Sequence, residues 1–178
     1  MPLEYERTFL AKYLPSGLEN CQHKEILDIW IPTDADMRVT PGLRIRKIGE
    51  RYEVTKKYPV DEKDAAVQHE FTAPLIKEEF DELERCLAGK RARKIRYLYP
   101  SNGVTFEIDV FQDKLRGLVL VDAEFSEGKG MNELQMPEFC LADVTQEKFI
   151  KGGMLAGKTY ADIEAELKRF RYTKIESS

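Results

Sequence analysis

Polar and apolar residues alternate over much of the chain, a pattern typical of β-strands. The clearest example is residues 105–125, where two alternating segments flank a turn that contains Asp113 and Gly117. Successive strand residues point to opposite faces of a sheet, so one face of this predicted hairpin collects carboxylates. They are Glu107, Asp109, Asp122 and Glu124. Because clustered like charges are unfavourable unless cations lie among them, the hairpin predicts a cation-binding surface.

Further alternating segments predict about eight strands, mostly arranged as antiparallel neighbours. Residues 3–12 carry two glutamates on one face, and residues 43–58 carry basic side chains in the same way. A basic run after residue 90 leads into another strand. Acidic residues therefore lie on the first and last strands, and basic residues lie on the middle ones.

The spacing of apolar residues also predicts three helices, over residues 74–87, 144–150 and 160–170. In the first helix, Leu75, Phe80 and Leu83 form one apolar stripe, which we expect to be in the core. We expect Trp30 to be buried as well.

These patterns leave two architectures open. An open antiparallel sheet with one solvated face is the more common arrangement. A closed barrel with a charged interior, its apolar outer faces covered by helices, is the alternative. The sorting of acids and bases onto different strands favours the barrel, because acids opposite bases suit a metal-bound polyanion.

Composition narrows the class of protein. With 178 residues, the chain predicts one domain over residues 1–172 and a frayed tail over residues 173–178. A net charge of −4 predicts no general attraction to nucleic acid or to a membrane. No signal pattern or membrane-spanning apolar run is visible, and three widely spaced cysteines fit a reducing compartment, so we expect a cytoplasmic protein. The cysteines are Cys21, Cys86 and Cys140.

Four segments, in this order, resemble the CYTH domains of the triphosphate tunnel metalloenzyme superfamily. They are EYERTFLAK (4–12), GLRIRKIGERYEVTKK (42–57), FEIDVFQDKLRGLVLVDAEF (106–125) and the stretch from DVT to GGMLAGKTY (143–160). The resemblance spans most of the chain and implies an α+β fold, an eight-stranded antiparallel closed β-barrel whose charged interior forms a tunnel with flanking helices. It also implies Mg or Mn as cofactor and a small-molecule triphosphate as substrate. Members hydrolyse inorganic, thiamine or nucleoside triphosphates, and some cyclise ATP.

The resemblance assigns roles to residues by their positions in these segments. The implied metal ligands are Glu4, Glu6, Asp109, Asp122 and Glu124. The implied phosphate-binding residues are Arg44, Arg46, Lys57, Arg96 and Lys12. Catalytic roles are implied for Glu4, Glu6 and Lys57. Further interior acids and C-terminal bases are expected at Glu70, Glu107, Lys148, Lys151 and Lys158.

One residue departs from the family's ExExK motif, because Thr8 stands where the motif has lysine. Threonine supplies no cation to a phosphate oxygen. Three alternatives follow: Lys12 compensates from a higher level of the tunnel, the enzyme has changed its preferred substrate, or it has lost activity. The leading function is metal-dependent hydrolysis of a triphosphate. The alternatives are a class IV type adenylyl cyclase and a non-catalytic binder of polyphosphate or nucleotide. A homodimer is a further expectation.

Overall fold

Nine antiparallel strands run through the part of the chain that the structure, a computed structural model, describes: residues 2–31, 42–87 and 90–176. They are β1 (Leu3–Ala11), β2 (His23–Ile31), β3 (Leu43–Ile48), β4 (Arg51–Asp61), β5 (Asp64–Leu75), β6 (Arg91–Ser101), β7 (Val104–Phe111), β8 (Val119–Phe125) and β9 (Cys140–Asp143).

Eight of the strands close into a barrel. Their hydrogen-bonded order is β5-β4-β3-β2-β6-β7-β8-β1, and residues 3–5 of β1 pair back onto β5. Strand β9 lies outside this ring and extends the other end of β1. The predicted eight-stranded antiparallel closed barrel is confirmed, and the open-sheet alternative is wrong.

The alternation of residues turns the charged face of each strand inward. In the strand pairing, Glu6 lies opposite Glu124. Arg96 lies opposite Asp109 in the same way. Since these side chains share one face of the closed sheet, they meet inside it. The outward faces carry apolar residues, and the helix α1 (Lys77–Cys86) covers those of β2 and β3 by packing Phe80 against them.

One end of the barrel is apolar inside as well as outside. Five inward-facing residues near this end belong to one buried cluster: Leu10, Trp30, Ala92, Phe111 and Leu120. The short helices α2 (Gly152–Leu155) and α3 (Tyr160–Lys168) pack against the cluster through Leu155, Ile163 and Leu167. At the opposite end, a cavity of about 640 Å³ opens beside Glu4 and Glu124. The charged interior therefore lies between an apolar end and an open mouth.

Two predicted helices differ from the observed ones. The first begins at Lys77 because Pro74 and Leu75 still pair with β4 as the end of β5. Its Leu83 is 36% exposed, so the assignment of this residue to the core is wrong, whereas Phe80 is 1% exposed. The expected burial of Trp30 is confirmed, since this residue is 6% exposed.

The helix predicted over residues 144–150 is also wrong, because this segment contains only a short 3₁₀ turn over Lys148–Ile150. Val144 and Ile150 both reach the apolar end cluster from an irregular segment, and their spacing imitates a helical stripe. The third helix is confirmed as α3, where the Thr159 hydroxyl accepts a hydrogen bond from the backbone N–H of Asp162 (3.3 Å).

After α3 the chain returns to the barrel. The Tyr172 hydroxyl donates to the carbonyl of Gly117 (2.9 Å) and accepts from the N–H of Val119 (2.8 Å). The N–H of Ile175 donates to the same carbonyl (3.0 Å). The division into a domain of residues 1–172 and a tail of residues 173–178 stays a prediction. Within the described ranges, none of the helices has the length and apolar character needed to span a membrane.

The contact between α1 and the barrel wall gives a test of the fold. Phe80→Ala removes a ring that is 1% exposed, so we expect it to lower the free energy of unfolding by about 3–5 kcal/mol. Leu83→Ala on the same helix removes a partly solvated side chain and should cost less than about 1 kcal/mol. Urea denaturation measures both. Equal losses of unfolding free energy in the two variants would show that α1 does not pack on the barrel through Phe80.

Candidate functional site

Three glutamates meet at the open end of the barrel. One carboxylate oxygen each of Glu4, Glu6 and Glu124 lies within 4.8 Å of the other two. The local fold explains this meeting, because β1 and β8 are neighbours with Glu6 directly opposite Glu124, and Glu4 shares a strand face with Glu6. We call these three residues the acidic cluster.

Burial and crowding raise the pKa values of Glu4, Glu124 and Asp122. Burial and the neighbouring Glu6 raise the pKa of Glu4 above its usual value. Glu124 lies at the mouth, where partial burial and the surrounding glutamates raise its pKa to about 7. Deeper in the barrel, burial and then Glu6 raise the pKa of Asp122 well above its usual value. These carboxylates therefore favour a proton or another cation beside them.

Lys57 of β4 reaches across the interior to the acidic cluster. Its ammonium group forms an ion pair with Glu4 and lies 3.8 Å from Glu6 and 3.9 Å from Glu70. Burial lowers the pKa of Lys57, but the attraction of Glu6 and Glu4 outweighs burial and leaves this pKa raised. Lys57 therefore stays protonated beside the glutamates.

A second group of charges lies deeper, on β6 and β7. Arg96 binds both oxygens of Asp109 (2.6 Å each), pairs with Glu107, and lies 3.4 Å from Asp122. Lys94 forms a buried ion pair with the same Asp109. Burial acts to raise the pKa of Asp109, but the attraction of Arg96 and Lys94 outweighs burial and lowers this pKa to about 2. Asp109 is therefore ionised, and the pairs hold these side chains in fixed positions.

The arginines of β3 line the adjoining wall in two different environments. Arg46 donates two hydrogen bonds to Asp28 (2.5 and 2.9 Å), and the pair is buried. Arg44 instead lies over the Trp30 ring, with its guanidinium carbon 5.4 Å from the ring centroid. Its Nε is buried and meets no acceptor among the described residues. Within the described ranges, the Nε of Arg44 therefore stays available as a hydrogen-bond donor.

Thr8 occupies the level between the acidic cluster and the apolar end. Its hydroxyl donates to Asp122 (2.8 Å), and the residue is 7% exposed. Lys12 lies beyond the end of β1 with an exposed side chain, away from the ion pairs described above. Its proposed compensation for Thr8 stays a prediction, and the structure does not bring it to the other phosphate-binding candidates.

Among the C-terminal lysines, Lys151 is partly buried just before α2. Burial and the nearby cations Lys148 and Lys57 lower its pKa, and its role as a further basic contact stays a prediction. Lys158 instead lies close to Asp162 at the start of α3.

The predicted metal ligands divide into two groups. Glu4, Glu6 and Glu124 come together, whereas Asp109 and Asp122 lie deeper and are engaged by cations and by Thr8. The predicted phosphate-binding residues that line the interior are Arg44, Arg46, Lys57 and Arg96. The roles assigned to all of these residues stay predictions.

Sequence reasoning missed Asp28 and Lys94, two buried charged residues of the interior. Lys94 shares a strand face with Arg96, and Asp28 alternates with apolar neighbours in β2. The available signal for Lys94 was its spacing of two residues from Arg96, a predicted site residue, which places both on one face of the strand. Asp28 gave little signal, because a single acid within an apolar strand also fits an exposed face.

The fold and the site together define a closed β-barrel whose interior opposes clustered carboxylates to buried guanidinium and ammonium groups. Such an interior suits a polyanion that brings metal cations with it. Similarity to known proteins points the same way. The chain is 29% identical over 154 residues to the inorganic triphosphatase of Nitrosomonas europaea. The aligned region covers 86% of this chain and 96% of that protein.

Solved structures show related barrels. A crystal structure of an inorganic triphosphatase matches with a TM-score of 0.63 and 27% identity, over 89% of this chain and 97% of that one. The PH1012 protein of Pyrococcus horikoshii OT3 matches with a TM-score of 0.50 and 21% identity, over 72% of this chain and 84% of that one, and shows the fold alone. No family model matches the chain.

The raised pKa of Glu124 predicts how stability depends on pH in chelator. A carboxyl group that titrates near 7 when folded and near 4.5 when unfolded stabilises the protein fully below about pH 4.5, and this contribution is lost as the pH rises through about 7. We therefore expect Glu124→Gln to melt at a higher temperature than the wild type at pH 8, and at a similar temperature at pH 4.5.

The control is Glu62→Gln, which changes an exposed glutamate outside the acidic cluster. Its melting temperature should follow the wild type at every pH. Parallel curves of melting temperature against pH for the wild type and Glu124→Gln, between pH 4.5 and 8, would contradict the raised pKa of Glu124.

Proposed function

We propose that this chain is a CYTH-type tunnel protein that hydrolyses a triphosphate with the help of a divalent metal ion, and that inorganic triphosphate is its first candidate substrate. The observation that carries the proposal is the opposition of two charged walls inside one closed barrel. The acidic cluster lies on β1 and β8, and the cations of β3, β4 and β6 face it. The similarity to an inorganic triphosphatase supports the same reaction.

The basic wall suits the phosphate chain. Arg44, Arg46 and Arg96 carry planar guanidinium groups, which bind phosphate oxygens through pairs of hydrogen bonds and keep their charge at any ordinary pH. Lys57 adds a point charge beside Glu4 and Glu6. Phosphoryl transfer depends mainly on positioning and on neutralisation of the phosphate charge, which these side chains supply from several directions.

The acidic cluster suits a divalent metal ion. Its donor atoms are all carboxylate oxygens, which fit hard cations such as Mg or Mn better than zinc. Glu4, Glu6 and Glu124 are the residues that would hold the ion. A cation beside them would relieve the repulsion that raises the pKa values of Glu4 and Glu124. When bound, such an ion neutralises phosphate charge and lowers the pKa of water.

The remaining steps belong to the chain's own residues. Lys57 exchanges its ion pairs with the glutamates for a phosphate oxygen as the substrate enters, and it thereby holds the reacting phosphate next to the acidic cluster. Glu4 and Glu6 orient the attacking water, and one of these two carboxylates accepts its proton. Arg96, held from behind by Asp109, keeps a fixed position while charge shifts to the leaving phosphate.

The choice between Mg and Mn, a cytoplasmic location and a homodimer stay predictions. So does the expectation that nucleic acids and membranes are not partners. The adenylyl cyclase and the non-catalytic binder are distinguished from the hydrolase by their products.

The test is product release from inorganic triphosphate, ATP, GTP and thiamine triphosphate, with Mg, with Mn and with chelator. We expect metal-dependent release of phosphate from inorganic triphosphate. Glu4→Gln should lower the turnover by about 100-fold or more, because it removes a carboxylate proposed to hold the metal ion and to accept a proton from the attacking water. Glu62→Gln, which changes an exposed glutamate, should keep full turnover.

Each alternative has its own outcome. Cyclic AMP and pyrophosphate from ATP would establish the cyclase. Binding of inorganic triphosphate without turnover, in wild type and Glu4→Gln alike, would establish a non-catalytic binder and contradict the proposed hydrolysis.

A further inference from the structure

Trp30, the only tryptophan of the chain, lies where the charged interior meets the apolar end. It is 6% exposed and faces inward from β2, directly opposite Arg44 in the pairing of β2 with β3. The guanidinium carbon of Arg44 lies over its ring, 5.4 Å from the centroid. A large aromatic ring therefore forms the surface on which a candidate phosphate-binding arginine rests.

The indole contributes its ring to this contact. Buried tryptophan N–H groups usually find an acceptor, but Trp30 Nε1 meets none among the described residues. Carboxylates hold the other two interior arginines, because Arg46 is bound by Asp28 and Arg96 by Asp109. Arg44 Nε has no such acceptor in the described part of the chain. The contact that the described residues provide for this guanidinium is the face of the indole.

A face contact leaves an arginine ready for an anion. The N–H donors of a guanidinium lie in its plane, so stacking on an aromatic ring does not occupy them. A carboxylate pair does occupy them, and phosphate must then compete with the carboxylate. Among the arginines and carboxylates that the structure describes, Arg44 is therefore the interior arginine for which no carboxylate pair has to break before a phosphate binds.

Gly152, the first residue of α2, packs closely against the indole at the apolar end of the barrel. A Cβ atom on this glycine would lie 2.6 Å from Cζ2 of Trp30, closer than real Cβ contacts allow, and 3.1 Å from Cε2, which is a tight contact. The backbone there is fixed, because the N–H of Ala156 donates to Gly152 (2.9 Å) and that of Gly157 donates to Arg91 of β6 (2.9 Å). Since the backbone cannot retreat easily, any larger residue at position 152 displaces the indole.

We propose that Trp30 is a positioning residue that holds Arg44 for the phosphate nearest the apolar end, and that Gly152 is required because it seats the indole. The proposal rests on the proposed triphosphate site and adds the residues that place one of its arginines. It predicts that Trp30 and Gly152 affect substrate binding only through Arg44.

The first measurement uses Trp30 as its own reporter. Titration of the wild type with inorganic triphosphate in chelator should change the tryptophan emission, because the ligand draws the charge of Arg44 away from the ring. Arg44→Gln should bind the ligand more weakly and lose the emission change. An identical emission change in Arg44→Gln would overturn the proposal.

The second measurement compares KM and kcat. We expect Trp30→Leu and Gly152→Ala to raise the KM for inorganic triphosphate about tenfold, equivalent to about 1.4 kcal/mol, with kcat within about twofold of the wild type. Trp30→Phe keeps an aromatic face and should restore most of the affinity. Leu167→Ala is the matched control, because Leu167 belongs to the same buried cluster but lies on α3. It should lower the melting temperature and leave KM unchanged.

A double-mutant cycle separates positioning from a general packing defect. In the Arg44→Gln background, Trp30→Leu should cause no further rise in KM. A full additional rise, or an equal rise in Leu167→Ala, would show that Trp30 is only a packing residue. If the wild type hydrolyses none of the triphosphates, the proposed function fails, while the emission titration still decides whether Arg44 and Trp30 act together in binding inorganic triphosphate.

Discussion

The structure depends on the burial of charge inside a closed sheet. Asp109 is 1% exposed, and an isolated ionised carboxylate at such a position would be strongly unfavourable. It is tolerated because Lys94 and Arg96 on the neighbouring strand reach it. A shift of one residue in the pairing of β6 with β7 would turn these partners outward and leave the charge without them. The closure of the barrel, the register of its strands and the candidate site therefore share one electrostatic condition: each buried charge needs an opposite charge or a hydrogen-bond donor beside it.

This condition is satisfied unevenly along the barrel. Near the apolar end, Asp28 is bound by Arg46, and Asp122 accepts a hydrogen bond from Thr8. At the mouth, the acidic cluster holds three glutamates within 4.8 Å and shares Lys57. The deep layer is therefore close to neutral by itself, whereas the mouth gains from additional cations. A metal ion that enters with a polyanionic substrate relieves the excess on the acidic wall, while the anion meets the basic wall.

Much of the site could be predicted from the sequence because side chains in a strand alternate between two faces. That rule places Glu4 with Glu6, and Arg44 with Arg46, without any knowledge of the fold. Closure could not be predicted in the same way. It depends on the pairing of β1 with β5 between positions such as Glu4 and Gln68, which are far apart in the sequence. The residues alone therefore left the open sheet and the barrel as alternatives.

The errors have related physical causes. Apolar spacing reports which residues are buried, but it does not report what buries them. Val144 and Ile150 contact the end cluster from an irregular segment, which periodicity alone cannot distinguish from a helix. Lys94 was missed for the converse reason. A lysine in a basic run looks solvated until the pairing with β7 brings it to Asp109.

The threonine of the altered motif illustrates how such a barrel distributes charge. A lysine at position 8 would face Asp122, and the Thr8 hydroxyl now satisfies that carboxylate without adding a charge. Asp109 and Asp122 at this level already face two cations, because Lys94 pairs with Asp109 and Arg96 reaches both aspartates. Burial and the neighbouring carboxylates still raise the pKa of Asp122, so the hydroxyl of Thr8 stabilises this group as a hydrogen-bond donor and not as a charge. The loss of the motif lysine therefore leaves Asp122 with a hydrogen-bond partner and leaves the basic side chains of β3, β4 and β6 in the interior.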